Sequence, residues 1–557
     1  MANNRKCFAD FDGGILADCF LKARNTFYDR MDEKVHAETY IGIHDEDYAE
    51  PEFTGKYLDI CAHYYELEGD IRALKKGMTV VQSISENQRE DGYLGGLSSG
   101  SEYQKFSVWN QFFTVYGLVR MYQATENKEI LRLAVRAADW IVDSFTGENA
   151  RDILDATNDG SQNISCLYAI GKLYLATGEV RYLEFMRLVI AHCETSDMNL
   201  LSFTDILNLR SKKGIEMLIV YLGVLQYGLL DNNPLAVEAA KRYWTQINDT
   251  QIRNVGNGTV KEFWVKNGNA PQLMPTEEKP NETCVAVGWM ELSLALFYTD
   301  PQAKYLDAVE KTLYNHLLGS FEKNGEDFAY YQGNYGQKIF RTDRTAYQCC
   351  RYRGFTIFSY LKDYLYYYDG STLIPLLYSN SHFQAGDISV KQTTAYPADG
   401  KVHFVIENAG TDKELKLRIP NWCRKCSGTV NGKTEDSFIR KEDYFVVGLP
   451  VGTTEVVLDM QISVEKKVDE IQGKSYASFQ YGPLLLAQDT HYGGELWEPI
   501  GEGDNTICRV EPNGQELVHF EIDGVHVVDL ASACKNNPEK DRYSVFLIKS
   551  TPCSTQK

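Results

Sequence analysis

The sequence contains no run of 18 apolar residues, so no transmembrane helix is expected. Its opening residues, MANNRKCFADFDGGILADCF, have neither the apolar core nor the small-residue cleavage site of a signal peptide. A cytoplasmic protein is therefore the expectation, and its 13 cysteines are read as mostly reduced thiols. Positive charge is also in short supply. Against 77 acidic residues stand 57 basic ones, a net charge of −20. Phosphate backbones and anionic lipid surfaces demand a basic footprint, so nucleic acid and membranes are excluded as partners. Histidine is scarce, with 10 copies in 557 residues. No GxSxG, Walker or GxGxxG stretch occurs, so neither a hydrolase triad nor a nucleotide site is indicated. A single CxxC, Cys423 to Cys426, has no second pair to make a zinc ribbon and is read as an incidental surface loop.

What is present is aromatic and periodic. There are 36 Tyr, 25 Phe and 7 Trp, a supply that fills cores and can also line a sugar cleft. Up to about residue 370, segments such as GKYLDICAHYYELEG, FTVYGLVRMYQATEN and GIEMLIVYLGVLQYGLL carry apolar residues at helical spacing. Several are apolar over more than half their circumference, as helices sandwiched between layers must be. Short polar turns separate them, ending at Asp70, Asn127, Glu179, Asn232 and Gln302, at intervals of 57, 52, 53 and 70 residues. Short turns make antiparallel hairpins, and a period near 50 residues points to a repeat fold. Five hairpins plus the helix expected in RGFTIFSYLKDYLYYY fit an (α/α)6 barrel, with an open solenoid as the alternative. After Gly370 the pattern becomes short, β-branched and alternating, as in KVHFVIEN and TTEVVLDM. The expected architecture is α+β and multidomain: a six-hairpin barrel at 1–370, an antiparallel β-sandwich at 371–465 and a second β-rich module at 466–557.

Three features carry chemistry. In NETCVAVGWMELSLALFY, Glu282 and Cys284 begin a helix, with Asn281 as the expected cap. Cys349 and Cys350 are adjacent in TAYQCCRYRGF, and the eight-membered ring of a vicinal disulfide would strain the peptide between them. Glu262, in GNGTVKEFW, falls inside the unusually long fourth interval. One carboxylate and three thiols form a tetrahedral donor set that zinc accepts. In a hairpin toroid the loops at one end converge on the axis, so two helix starts 65 residues apart can meet there. On spacing alone, buried inert thiols remain the competing reading, as a core histidine does for His316.

The run ETC…ALFYTDPQAKYLDAVEKTLYNHLLGSF…FAYYQGN…YQCC resembles glycoside hydrolase family 127, the bacterial β-L-arabinofuranosidase group. ENQREDGYLGG and LKLRIPNW…TVNGK resemble its early segment and its first β-strands, so the likeness runs over most of the chain. The resemblance implies an exo-acting retaining glycosidase of plant cell-wall furanosides. Its Zn2+ would be held by Glu282, Cys284, Cys349 and Cys350, with Cys349 also the nucleophile. Glu262 would be the acid/base. The gap from Glu262 to Glu282 is a few residues longer than in the family, which keeps Glu277 and Glu278 as competitors. A retaining glycosidase needs a nucleophile on one face of the anomeric carbon and a proton donor at the leaving oxygen. A thiol serves only as thiolate, which a metal or nearby positive charge supplies.

The chain also departs from the family. Where the family has barrel histidines that contact the sugar, this sequence has Trp109, Asn110 and Gln111, then Gln162 and Asn163, then Lys213 and Glu216. Trp109, Asn110, Gln162, Lys213 and Tyr330 are the candidate substrate contacts. An inward-pointing Lys213 would suit a carboxylated sugar, so an acidic pectin sugar of the aceric-acid type is an alternative substrate. Two further readings stand. One is an inactive carbohydrate-binding relative with structural zinc. The other is a six-hairpin hydrolase, lyase or epimerase working through Asp or His pairs. The expected partner is a small oligosaccharide, and assembly is left open between monomer and homodimer.

Overall fold

The computed structural model describes residues 7–42, 50–95, 97–98, 102, 106–340, 348–434, 439–441, 443–496, 504–514 and 516–548. Gly96, Thr345 to Tyr347 of the segment entering the cysteine pair, and the last residues of the third module lie outside these.

The polar turns seen in the sequence are helix starts. Asp70, Asn127 and Asn233 each accept a hydrogen bond from the backbone amide two residues on, at 2.8, 3.0 and 3.1 Å, which satisfies an amide the helix itself leaves unpaired. Each cap launches an outer helix: Ile71–Asn87, Lys128–Ser144 and Pro234–Thr250. The inner helices are Glu50–Glu68, Ser107–Thr125, Cys166–Thr177, Gly214–Leu230, Thr283–Thr299 and Cys349–Ser359. Each packs on the next, and Cys349–Ser359 packs on Glu50–Glu68, so the ring closes. Closure excludes the open solenoid. The N-terminal helix Ile15–Arg30 lies against Cys349–Ser359 and completes the sixth hairpin.

Burial follows the layers. Gly214–Leu230 is buried on almost every side, whereas Lys128–Ser144 buries one face only. Trp244 of an outer helix stacks on Trp289 of an inner one, with ring centroids 5.1 Å apart. The first two inner helices touch backbone to backbone. A Cβ on Gly55 would lie 2.1 Å from Phe113 O, so only glycine permits this approach.

The last barrel helix ends at Ser359, earlier than the sequence pattern implied, and Tyr366–Tyr368 is a strand. Consecutive aromatics favour the extended pleat, and here they pair with Thr372–Pro375. The sandwich has a seven-stranded and a five-stranded sheet. Cys7–Phe11, grouped with the barrel on sequence, pairs antiparallel with Ser381–Ala385 and so extends the seven-stranded sheet. Arg418 joins sandwich to barrel. It is 1% exposed, bonds to Asp307 and donates to Glu310 at 2.6 Å; Tyr396 and Trp422 also donate to Glu310.

The third module starts at the strand Val464–Ile471 and returns to the barrel. Its strand Tyr543–Ser544 pairs with Tyr335–Gly336. Tyr543 donates to Gly333 O at 2.7 Å, Val545 N donates to Asn334 O at 2.8 Å, and the buried Lys338 ammonium reaches Leu530 O at 2.6 Å. The chain just after Tyr330 and Tyr331 is thus clamped between two domains. No described helix is long and apolar enough to cross a membrane.

Candidate active site

The first turns of the inner helices converge at one end of the ring, and nearly every residue singled out from the sequence sits in one of them. Trp109 and Asn110 open Ser107–Thr125, Gln162 lies in the short helix Ser161–Ile164, and Lys213 caps Gly214–Leu230. Glu282 caps Thr283–Thr299, and Cys349 and Cys350 begin the last helix. Asn281 is not the cap: its backbone is left-handed, at φ 56°, and its side chain donates to Gln332 O. Helix starts present unpaired amides and the positive dipole end, so acidic groups gathered there are stabilised as anions.

Glu282, Cys284, Cys349 and Cys350 meet, with their ligand atoms all within 4.8 Å of one another. Cys349 Sγ lies 3.9 Å from Cys350 Sγ and 4.0 Å from Glu282 Oε1, while Cys350 Sγ is 3.7 Å from that oxygen. A metal with bonds of about 2.3 Å to sulfur spaces tetrahedral ligands by about 3.8 Å. The three separations among Glu282, Cys349 and Cys350 are close to that spacing, and the Cys284 sulfur lies within 4.8 Å of each. Glu282 Oε2 is buried without a hydrogen-bond partner, and the Cys284 amide donates to Cys350 Sγ at 3.3 Å. Thr283 turns away, donating to Ala329 O at 2.7 Å and meeting His316 Nε2 at 3.0 Å. Burial pushes the His316 imidazole down to about 3, so it is a neutral support under the site, in keeping with the core reading.

Four acidic groups in one buried pocket cannot all ionise unaided. Burial pushes Glu282, Cys284 and Cys350 well up. Cys349 alone is pushed well below the usual thiol range, by hydrogen bonds from Cys284 and Cys350, by the Lys56 ammonium and by Tyr330, against the cost of burial. A divalent cation would make the other three anionic as well. Lys56 is fully enclosed. Burial disfavours its charge, yet the negative charge of Glu52 and Cys349 holds it protonated. Glu52 also accepts from Trp109, which ties that ring to the cluster. The sequence reading missed the Glu52 and Lys56 pair. Its signal was two opposite charges four residues apart in the first turns of a helix.

Glu262 faces this cluster from the long fourth interval. Lys213 Nζ pairs with Glu262 Oε2, and Tyr331 Oη donates to Glu262 Oε1 at 2.5 Å. Tyr330 Oη lies 3.1 Å from Glu262 Oε1 and 3.3 Å from Cys349 Sγ. Carboxylate and sulfur therefore both contact one hydroxyl. Glu262 has φ 77°, a left-handed backbone that its bond from Gly214 N to Glu262 O, at 2.8 Å, helps to hold. Glu277 and Glu278 are exposed and line a cleft outside Glu262, without contact to any thiol. Tyr331, unremarked in the sequence, is the third side chain bonded to the Glu262 carboxylate, with Lys213 and Tyr330.

The remaining candidates line the barrel wall. Asn110 is buried in its first turn, and Gln162 accepts from Thr157 at 2.7 Å. Glu216 accepts from Asn158 at 2.6 Å and Ser161 at 2.5 Å, and burial raises its carboxyl to about 7.

Residues 16–363 match the profile of the β-L-arabinofuranosidase GH127 catalytic domain, and residues 373–460 that of the GH127 middle domain. The chain is 24% identical to a non-reducing end β-L-arabinofuranosidase of Bifidobacterium longum subsp. longum, over 87% of this chain and 82% of that protein. Its fold superimposes on the GH127 β-arabinofuranosidase BT3674 with a TM-score of 0.84, at 17% identity over 97% and 96% of the two chains. For Ara127N, a GH127 β-L-arabinofuranosidase from Geobacillus stearothermophilus T6, the TM-score is 0.75 at 18% identity over 97% and 95%. With both family domains matched in order across most of its length, the chain belongs to glycoside hydrolase family 127.

Proposed function

We propose that the protein is an exo-acting, retaining glycosidase that releases β-L-arabinofuranose from the non-reducing end of a small oligosaccharide, with Cys349 as nucleophile and Glu262 as acid/base. The observation that carries this reading is the Tyr330 hydroxyl, shared between the Cys349 sulfur and the Glu262 carboxylate. The sum of those two contacts bounds the separation of the pair, and the roughly 5–5.5 Å of retaining enzymes fits inside it.

Glu282, Cys284, Cys349 and Cys350 fit a zinc ion by donor chemistry, spacing and the unpartnered Glu282 oxygen. Zinc, when bound, keeps these thiols deprotonated at neutral pH and fixes their orientation. The chain's own residues do the rest. Cys349 Sγ attacks the anomeric carbon as the glycosidic C–O bond breaks, and Glu262 gives its proton to the departing oxygen. The sugar is then held by a C–S bond. Glu262, now a carboxylate, takes a proton from water, whose oxygen displaces the sulfur and returns the thiolate. Tyr330 has one hydrogen for two acceptors. It can follow the negative charge, toward Glu262 when that group is a carboxylate and toward sulfur when Glu262 is protonated.

An acidic sugar is less well supported. Lys213 is already paired with Glu262, and the Glu282 and Glu216 carboxyls also lie close to it. That balance suits an uncharged sugar. A purely structural metal site would leave unexplained a carboxylate that shares a hydroxyl with one of its ligands. The test is Cys349→Ser, assayed on 4-nitrophenyl β-L-arabinofuranoside with zinc measured by mass spectrometry. The expected result is about one zinc per wild-type chain and no turnover in the variant. Full turnover by Cys349→Ser, or a metal-free native protein, would overturn the reading.

A further inference from the structure

The third module contains the run HFEIDGVHVVD, residues 519–529. Asp-Gly between two alternating stretches signals a two-residue hairpin turn, and Asp523 and Gly524 both have the left-handed backbone it needs, at φ 50° and 85°. The turn sets the register of the strands His519–Ile522 and Val525–Asp529, so that Glu521 faces His526 and His519 faces Val528. Alternation then sorts the side chains. Phe520, Ile522, Val525 and Val527 are buried on one face, and His519, Glu521 and His526 share the other.

His519 and His526 are thus diagonal neighbours, and their rings meet. In a chain with 10 histidines, these two bring Nε2 of His519 to 3.1 Å from Nδ1 of His526. We propose that the two nitrogens form a metal site of their own, apart from the cysteine centre, for a divalent cation of the zinc class, with water filling the remaining positions.

The spacing supports a shared ion. A metal about 2.0–2.1 Å from each of two imidazole nitrogens holds them about 3.4 Å apart in tetrahedral geometry, so the pair needs to open by only about 0.3 Å. The group behind the ligand supports it as well. His519 Nδ1 lies 3.3 Å from Glu516 Oε1, and that oxygen is fixed by the Asn513 amide at 3.1 Å. A carboxylate there keeps the His519 proton on Nδ1 and leaves the Nε2 lone pair facing His526, as in the carboxylate–histidine pairs that orient metal ligands. Tyr492 packs on the same ring, with centroids 4.7 Å apart. Glu521, opposite His526, adds a carboxylate that has no hydrogen-bond or ion-pair partner among the described residues. Without a metal, His526 Nδ1–H donates to His519 Nε2. A cation takes the place of that one hydrogen, which moves to Nε2 of His526, so both rings remain neutral, the form that ligates. Imidazole suits zinc, copper and nickel, whereas magnesium and calcium take oxygen ligands. His519 is buried and His526 half-buried, so the ion enters from the His526 side.

The test is isothermal titration calorimetry of zinc chloride into enzyme that already carries zinc in its cysteine centre. Wild type is expected to take up about one further equivalent per chain, and magnesium chloride none. His519→Ala and His526→Gln should lose that equivalent and keep the tighter one, which also shows that they fold. Glu516→Gln should weaken it about 10- to 100-fold, the usual loss when a ligand's supporting carboxylate goes. Wild type that takes up no further zinc, or His526→Gln that binds it as tightly as wild type, overturns the proposal. So does loss of the further equivalent in Cys508→Ser with both histidine variants unaffected, which would assign it to the exposed thiol opposite Glu521. None of these outcomes touches the proposed function, which depends on the cysteine centre.

Discussion

Tyr330→Phe removes one oxygen atom from between nucleophile and acid/base and leaves the ring in place. The lost contacts are 3.1 Å to Glu262 and 3.3 Å to Cys349. A hydrogen bond to a charged group is worth about 1.5–3 kcal/mol. At about 1.4 kcal/mol per factor of ten in rate, kcat/KM should fall about 10- to 150-fold. Tyr331→Phe is the internal comparison, because its hydroxyl bonds to the same Glu262 oxygen and not to Cys349. It should lower kcat/KM by a similar factor. The two variants should part company at the thiol. Tyr330 stabilises the thiolate of Cys349, so its removal raises the thiol pKa. In chelator-treated protein, alkylation of Cys349 by iodoacetamide should therefore begin at higher pH in Tyr330→Phe, by up to about one unit per 1.4 kcal/mol lost. Tyr331→Phe should leave that profile where it is in the wild type. If Tyr330→Phe stays within about threefold of wild type in kcat/KM, and its alkylation profile coincides with the wild type, the hydroxyl does not link the two groups.

Two further outcomes are expected. Glu262→Gln should slow hydrolysis of a sugar-linked substrate about 10²- to 10⁴-fold, the usual loss for a general acid. An aryl leaving group, which departs with little protonation, should suffer visibly less, and equal losses on both would remove Glu262 from the acid role. Arg418→Met strands Asp307 and Glu310 in a buried interface, at a cost of about 3–5 kcal/mol. Burial already raises Asp307 to about 6, against the pull of Arg418. Its folded value thus lies above the usual one, so its contribution to stability is fully present below the ordinary carboxylate pKa and is lost as pH rises through about 6. Without Arg418 the carboxyl is held higher still. Thermal unfolding should show a larger loss in the variant at pH 8 than at pH 5, and the reverse order would refute this account.

What could be read from the chain, and what could not, divides by distance along it. The barrel was legible because each hairpin is local: an apolar helix, a capped turn, a second helix. The cysteine centre was legible in part. On spacing alone, vicinal thiols and a Glu-x-Cys at a helix start are a weak signal in a chain with 13 cysteines, and it was the family resemblance that joined them into one donor set. Cys7–Phe11 was not legible as a sandwich strand, because five residues carry too little alternation and its partner lies some 370 residues away. Asn281 was read as a cap from local preference. Its side chain is instead claimed by Gln332, a contact no window of sequence contains. Glu262 could not be separated from Glu277 and Glu278 because all three lie in one irregular segment. Only the tertiary positions of Lys213, Tyr330 and Tyr331 tell them apart.

The strand pair between Tyr335–Gly336 and Tyr543–Ser544 has a consequence for what counts as the catalytic unit. The two tyrosines around Glu262 belong to a segment whose following residues find their backbone partners in the last module, some 200 residues downstream. A gene fragment ending after the sandwich would encode every acid, thiol and helix start of the site, yet leave that segment with unsatisfied amides and carbonyls. Chemistry and architecture are therefore inherited together in this chain. The barrel is not a detachable engine to which β-domains were added, because its working loop is finished only by the final strands.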